Sequence, residues 1–487
     1  MSPADARAAA QSEGSKCPPA KIEVMAANRT FTGLLAATAV GVYLLVIAGA
    51  TAAITDAVAA CSSWPLCGGP VTLAEPSLLV ARGHRLTALL VGGLAVATVG
   101  LGLRTAARRR VKAALLVGLA LYPVQIALGA FVATSGGAGG LPGAHLGVGM
   151  AIFVSFVLAL AWHLEAETGS DDDPVEDPSP APMPDDVGDP APTSDLSTRE
   201  RLVGILFAYF RLMKPRLMWL LCLVAAAGMA LAAGPTLSVW TVLLTLGGGV
   251  LAIGSSGTFN HVLERDIDKR MDRTSDRPIA THRIPVRNAV TFGVVLAGAA
   301  LALFWQVNVL AAALGLTAIL FYSVIYTLVL KPNTVQNTVI GGAAGALPAL
   351  IGWAAVEGTL GLPGIALAGV IFLWTPAHFY NLALAYKDDY EDGGFPMMPV
   401  VRGETETRKH IVYYLGATLV GSGVLASLTS LGWLYALTSA SVGAVFLWAV
   451  VRLHREQTEA AAFRAFHASN AYLGALLVAI VVDALAI

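Results

Sequence analysis

The chain has 487 residues, 56% of them hydrophobic and 13% charged, with a mean hydropathy of +0.68 and a formal net charge of −1. A chain this apolar, with no basic surplus, is neither a water-soluble globular protein nor a nucleic-acid binder. It reads as an all-α polytopic membrane protein.

Residues 1–30 form a polar, Ala-rich tail without the short apolar core of a signal peptide, so the first span is expected to serve as the insertion signal. Apolar runs of the ~20 residues needed to cross a bilayer then recur. Four are predicted at 31–54, 79–103, 113–134 and 143–163, so residues 31–163 make a four-helix bundle. Its first loop reads Cys61-Ser-Ser-Trp64-Pro65-Leu66-Cys67, which makes Cys61 and Cys67 candidates for a disulfide; Cys17 and Cys222 read as ordinary thiols. The second span opens with Arg82-Gly83-His84-Arg85 and the fourth with His145. Both spans start from the same side, which puts the two imidazoles at similar depth, as a haem with two axial histidines requires. A single histidine there would be only an interfacial polar residue.

Residues 164–200 contain Asp171-Asp172-Asp173-Pro174 and a Pro/Asp-rich run through Pro192, which predicts an extended, disordered linker. Residues 201–487 hold nine further spans, predicted at 217–233, 238–257, 289–305, 309–330, 337–356, 363–385, 410–429, 432–451 and 469–486.

Between these spans lie two charged clusters. In the first, Asn260, Glu264 and Asp268 fall four residues apart, so on a helix their oxygens line one stripe able to hold a hard divalent cation such as Mg2+. Arg273 and Arg277 follow, suited to the forked recognition of a diphosphate. The competing reading is a solvated loop whose charges pair with one another. In the second cluster, Tyr386-Lys387-Asp388-Asp389-Tyr390-Glu391-Asp392, acids again stand four apart at Asp388 and Asp392. Two such clusters point to two halves of a metal-diphosphate clamp.

Loop charge gives the orientation. Arg104, Arg108, Arg109, Arg110 and Lys112 mark the loop after the second span as cytoplasmic. Counting spans then puts the N-terminus, the linker, both acid clusters and Lys331 on that side, with the C-terminus outside, in the cell membrane. His378, in Trp374-Thr-Pro-Ala-His378, sits within an apolar span, where an ionisable residue is a candidate for function; the alternative is a neutral imidazole bonded to a neighbouring helix. His261 and His282 lie in the charged loop and read as solvated or diphosphate-adjacent.

From about 205 to 487 the chain resembles the UbiA-type intramembrane prenyltransferases, and within them the haem O synthase branch. The resemblance rests on Asn260 to Asp268 with Met271, Arg273, Thr274, Arg277 and Pro278; Tyr326-Thr327 with Lys331; Asn337 to Gly342 with Pro348 and Gly352-Trp353; Trp374 to Phe379; and Lys387 to Tyr390 into Pro396 to Val401. It departs at Glu264, where the family commonly has Asp. The resemblance implies a nine-helix prenyltransferase bundle that transfers farnesyl from farnesyl diphosphate to a vinyl group of haem B, giving haem O. It implies Asn260, Glu264, Asp268, Asp388 and Asp392 as metal and diphosphate ligands, Arg273, Arg277 and Lys331 as diphosphate contacts, Tyr326 near the allylic carbon, and His378 towards the haem. A quinone precursor or a lipid headgroup is the alternative acceptor, and a nonenzymatic haem-binding assembly protein the alternative class.

Residues 30–165 resemble one half of the haem A synthase family, which carries a similar Cys-Trp-Pro-Cys loop, a His-Arg opening the second helix and a His opening the fourth. Gln125 and Gly129 also fit, whereas Ala81 stands where an acid often occurs and only one of two halves is present. This implies haem binding at His84 and His145, or docking to a haem A synthase or oxidase assembly protein. With the histidine pair near the outer surface and the prenyl site cytoplasmic, no direct haem handover is expected.

Overall fold

The computed structural model describes residues 19–54, 60–61, 63–68, 75–135, 139–170, 172, 174–183 and 197–486. Cys17, most of the N-terminal tail, Asp171, Asp173 and residues 184–196 of the linker lie outside them. The regular secondary structure of the described residues is all helical, with no strand among them.

Four long helices open the chain: α1 (Pro19–Ile54), α2 (Pro76–Arg104), α3 (Arg109–Thr134) and α4 (Leu141–Thr168). After the linker comes α5 (Thr198–Leu212), started by a capping box in which Ser197 and Glu200 satisfy each other's backbone donors. This helix is too short to span a bilayer, and Leu202, Leu206, Phe207 and Phe210 are exposed along it.

The remaining elements are α6 (Pro215–Ala233), α7 (Val239–Leu263), the single turn α8 (Arg265–Asp268), α9 (Val286–Val307), α10 (Val309–Asn333), α11 (Asn337–Glu357) and α12 (Leu362–Ala385). Then follow α13 (Lys387–Asp392), α14 (Met398–Val401), α15 (Glu404–Ser427), α16 (Trp433–Glu456) and α17 (Glu459–Ala486). Among the described residues thirteen helices are long and apolar enough to cross a membrane, and each overlaps a predicted span.

The two modules share one hydrophobic core rather than standing apart. Phe31, Phe156 and Leu160 of the first belong to the same buried cluster as Leu415, Phe446 and Tyr472 of the second. Polar bonds cross the same boundary: Trp162 donates to the Tyr413 hydroxyl at 2.6 Å, Lys409 to Glu165 at 3.0 Å, and the Gln457 amide to the Thr168 carbonyl at 2.6 Å.

The linker prediction needs correction over residues 174–183. This stretch is extended but docked, with the Val175 and Ala181 N–H groups donating to the carbonyls of Val400 and Asp392 at 2.9 and 2.8 Å. An extended segment can be held through its backbone without burying a core of its own, which composition does not reveal.

Candidate active site

The first charged cluster forms where α7 ends. The helix stops at Glu264, which caps it with φ −94° and ψ 2°, and α8 continues as one turn. The i+4 backbone bonds Glu264 N–H to Asn260 O (2.9 Å) and Asp268 N–H to Glu264 O (2.8 Å) bridge the break, so the predicted stripe survives it. Asn260, Glu264 and Asp268 are 2%, 4% and 1% exposed. Buried carboxylates need partners, and both have them. Lys331 donates to Glu264 at 2.6 Å, and Arg277 donates to both oxygens of Asp268 at 2.7 and 2.9 Å.

Lys331 reaches the stripe because α10 carries a π-helical stretch, Phe321–Leu330, in which the Thr327 hydroxyl donates to the Tyr322 carbonyl at 2.8 Å. Wide turns of this kind re-aim side chains and recur at functional sites. Thr327 also accepts from the Asn260 amide at 3.2 Å, and Tyr326 stacks on Tyr322 with ring centroids 5.5 Å apart.

Lys214, Tyr322 and Asp389 belong to the site although the sequence did not single them out as ligands. Lys214, left-handed at φ 55°, precedes Pro215 at the start of α6. Its ammonium donates to the Asn260 side-chain oxygen and to the Tyr322 hydroxyl, the latter at 3.1 Å. Lys-Pro before an apolar run was the available signal.

Asp389 is the acid of α13 that meets the first cluster, accepting from the Arg273 backbone N–H at 3.2 Å. The Arg273 guanidinium donates to the Tyr390 hydroxyl at 3.1 Å and lies over the rings of Tyr386 and Tyr390, 4.8 and 5.1 Å from their centroids. Asp388 and Asp392, expected to converge with the stripe, lie exposed on this short helix. His261, expected to be solvated or diphosphate-adjacent, is buried, whereas His282 is exposed. His378 stacks between Trp374 and Phe466, and its Nδ1 shares a hydrogen bond with Ser469 of α17 at 2.8 Å. None of these contacts is to the clamp.

The clamp carries more positive than negative charge. Lys214, Arg273, Arg277 and Lys331 face Glu264, Asp268 and Asp389. Among the described residues no three acid, His or Cys side chains gather as a ready cation site, because each buried carboxylate is held by a base. A hard cation arriving with a diphosphate keeps waters and needs only one or two carboxylates, and the stripe of Asn260, Glu264 and Asp268 fits that use. An apolar cavity of about 90 Å³ runs from Lys214 and Tyr322 past Leu217, Leu221, Ile253 and Pro348, between α6, α7 and α11.

Burial pushes the Asp268 carboxyl up, against the pull of Arg277. Glu264 is desolvated as well, yet Lys331 and Lys214 bring it below the ordinary carboxylate range. Burial, and next to it Arg277, lower the Lys214 ammonium to about 7. Lys214 loses its charge as pH rises through about 7, and a diphosphate seated against it would be held less tightly above that pH. The expected result is a falling limb of kcat/KM centred there, absent in Lys214→Arg, whose guanidinium stays charged. A pH profile of both proteins checks it.

At the other end of the first module, Cys61 and Cys67 form a disulfide. Arg85 ties that loop to α2 by donating to the carbonyls of Ser63 (2.9 Å) and Pro65 (3.1 Å). His84 packs against Gly49 and His145 against Gly129, where an added Cβ would lie 3.2 and 3.0 Å from the rings. The Nδ1 atoms of both histidines and Oε1 of Gln125 are buried without a hydrogen-bond partner.

A bundle of membrane-spanning helices with a basic cluster at one end and an apolar cavity leading away from it fits an intramembrane prenyltransferase. Residues 220–472 match the UbiA prenyltransferase family, and the chain belongs to it. It is 77% identical over 95% of its length to the whole of a protoheme IX farnesyltransferase of Haloarcula marismortui. It is 66% identical to protoheme IX farnesyltransferase 1 of Natronomonas pharaonis over 94% of the chain and 99% of that protein. A protoheme IX farnesyltransferase 1 of Saccharopolyspora erythraea, 45% identical, covers 58% of the chain and 90% of its own length. The two-module length therefore recurs in the first two relatives. Among solved structures, a digeranylgeranylglyceryl phosphate synthase matches 58% of the chain and 100% of its own, with a TM-score of 0.50 at 16% identity, which is a likeness of fold.

Proposed function

We propose that this chain transfers the farnesyl group of farnesyl diphosphate to a vinyl carbon of haem B, giving haem O and diphosphate. The observation that carries the reading is the set of four cationic side chains around the buried Asn260-Glu264-Asp268 stripe, at the mouth of an apolar cavity. The names of the full-length relatives give the acceptor.

In this reading the diphosphate enters between the two charged loops, and Lys331 and Arg277 exchange carboxylate partners for phosphate oxygens. A bound Mg2+ or similar ion would be held by Glu264 and Asp268, with Asn260 beside them, and would neutralise part of the departing charge. The allylic carbon-oxygen bond breaks with its electron pair leaving on diphosphate. The basic side chains are already in place for that charge, so little reorganisation is needed. Tyr322 and Tyr326 face the allylic cation, and the cavity keeps water from the tail. The vinyl group supplies the electrons of the new carbon-carbon bond, and the cation this leaves on the former vinyl carbon takes up a water, which loses one proton to solvent and becomes the hydroxyl.

His378 keeps its haem-facing role as part of this proposal. Nδ1 is engaged by Ser469, and Nε2 has no protein partner among the described residues. Asp388 and Asp392 remain proposed ligands only through exposed oxygens at the clamp's edge. Loop charge supports a site on the cytoplasmic side and a C-terminus outside.

Purified protein with farnesyl diphosphate, Mg2+ and haem B should release diphosphate in step with haem O. Turnover with a quinone precursor or a lipid headgroup, and none with haem B, would reassign the acceptor.

A second reading concerns the first module and is favoured by the partnerless Nδ1 atoms of His84 and His145, with the Gln125 amide 3.4 Å from His145 Nε2. These residues suit a bis-histidine haem, so that His84→Ala and His145→Ala should each lower the haem retained per purified chain and change its optical spectrum. Unchanged haem content in both would remove this site. His145 lies twenty residues before Glu165, roughly 30 Å along a helix, and Glu165 binds Lys409 near the clamp end. That separation supports the absence of direct haem handover.

A further inference from the structure

The described part of the linker makes contacts that a tether does not need. Asp172 accepts the Thr405 backbone N–H at 2.9 Å on one carboxylate oxygen and the Thr405 hydroxyl at 3.3 Å on the other. It thus satisfies an orphan donor in the first turn of α15 from a distant segment of the chain. Val175 and Ala181 then donate their N–H groups to Val400 and Asp392. The Val175 side chain packs against the cluster of Met271, Tyr390, Phe395, Met397 and Val400.

Two glycines of the segment beneath have positive φ, Gly394 at 67° and Gly403 at 83°. A Cβ on them would lie 2.7 Å from Pro180 and 2.5 Å from Asp172. The linker therefore crosses the segment from Asp392 to Thr405 with three anchors, at its beginning, middle and end.

That segment carries clamp parts. Phe395 lies under the Lys331 ammonium, 4.1 Å from ring centroid to nitrogen. Asp389 and Tyr390, immediately before it, hold Arg273. Fixing the segment therefore fixes two of the four cations that face the diphosphate.

We infer that Asp172 and residues 174–181 form a positioning strap for the prenyl-transfer site, holding the Asp392–Thr405 segment so that Arg273 and Lys331 are set for the diphosphate. The inference rests on the prenyl-transfer reading of that site. The strap residues touch no substrate; they act through the segment they hold. The linker of this two-module chain is then a working part of its second module.

The test uses the full chain in lipid nanodiscs, with steady-state kinetics in farnesyl diphosphate at saturating haem B and Mg2+. Asp172→Ala removes the acceptors for Thr405, whereas Asp172→Asn keeps an amide oxygen there. The double variant Val175→Pro with Ala181→Pro removes both donated N–H groups. We expect KM for farnesyl diphosphate to rise about tenfold in Asp172→Ala and in the double variant, the size of one or two lost hydrogen bonds. kcat should change little, the thermal midpoint should stay within a few degrees, and Asp172→Asn should restore KM. Should the double variant fail to fold, the Asp172 pair carries the comparison. Wild-type turnover with an unmoved KM in folded Asp172→Ala would overturn the strap and leave the prenyl-transfer reading intact. A folded wild type that consumes no farnesyl diphosphate would overturn that reading and the strap with it.

Discussion

Asp268→Asn abolishes measurable prenyl transfer, with an expected loss of about a thousandfold in kcat and little change in the amount of folded protein. Asp268 is 1% exposed and accepts two hydrogen bonds from Arg277. The amide keeps its shape and one acceptor oxygen but loses the charge that orients Arg277 and would hold a divalent ion. Alanine is the poorer choice, because removing one partner of a buried ion pair strands the other and costs ~3–5 kcal/mol in stability. Diphosphate release measured on monodisperse protein separates the two effects. Asp388→Asn, altering an exposed carboxylate, should cost much less than Asp268→Asn. Equal losses would return Asp388 to the centre of the site.

The second large effect is on the fold. At the α6–α11 crossing a Cβ on Gly352 would lie 2.1 Å from the Ala225 carbonyl oxygen, and one on Gly228 would lie 2.5 Å from that of Ala349. The obstacle is backbone on both sides, so no rotamer change relieves it. Glycine in a helix normally costs about 1 kcal/mol relative to alanine, and at most positions the substitution stabilises. Here the overlap should outweigh that gain, since overpacking costs ~1–3 kcal/mol even where side chains can yield. Gly352→Ala should lower the thermal midpoint by several degrees, and Gly352→Leu should leave little monodisperse protein. Gly369 in α12, whose Cβ would meet nothing within 4 Å, is the control, where alanine should be neutral or stabilising. A Gly352→Leu variant that purifies and melts like wild type would refute the crossing. Because α6 and α11 also line the apolar cavity, parting them would damage substrate binding in whatever protein remained.

The spans were legible because each is a long apolar run, and a bilayer demands little else of a sequence. Their ends were less so. The predicted spans 143–163 and 410–429 became Leu141–Thr168 and Glu404–Ser427. The added or shifted turns carry Glu165, Glu167, Glu404 and Arg408, charged residues that hydropathy leaves out although they are helical and paired. The grouping of Asn260, Glu264 and Asp268 along one buried stripe could be read from four-residue spacing, which outlasted the break at Glu264. The exposure of Asp388 and Asp392 could not, because their spacing says they share a face without saying which way that face turns. Partners decide that, and Arg273 chose Asp389. Lys214 lay far from either cluster in sequence, and only the approach of α6 to α7 brought it to Asn260. The strap was hidden for a related reason, since its hold is mostly backbone bonding and composition records side chains alone.

The most direct measurement is the mass of the haem extracted from cells that lack haem O and express this chain. The expected product is a new species heavier than haem B by one farnesyl group and one hydroxyl, absent when Asp268→Asn replaces the wild type. Unchanged haem B alone, with the wild-type protein intact in the membrane, would contradict it.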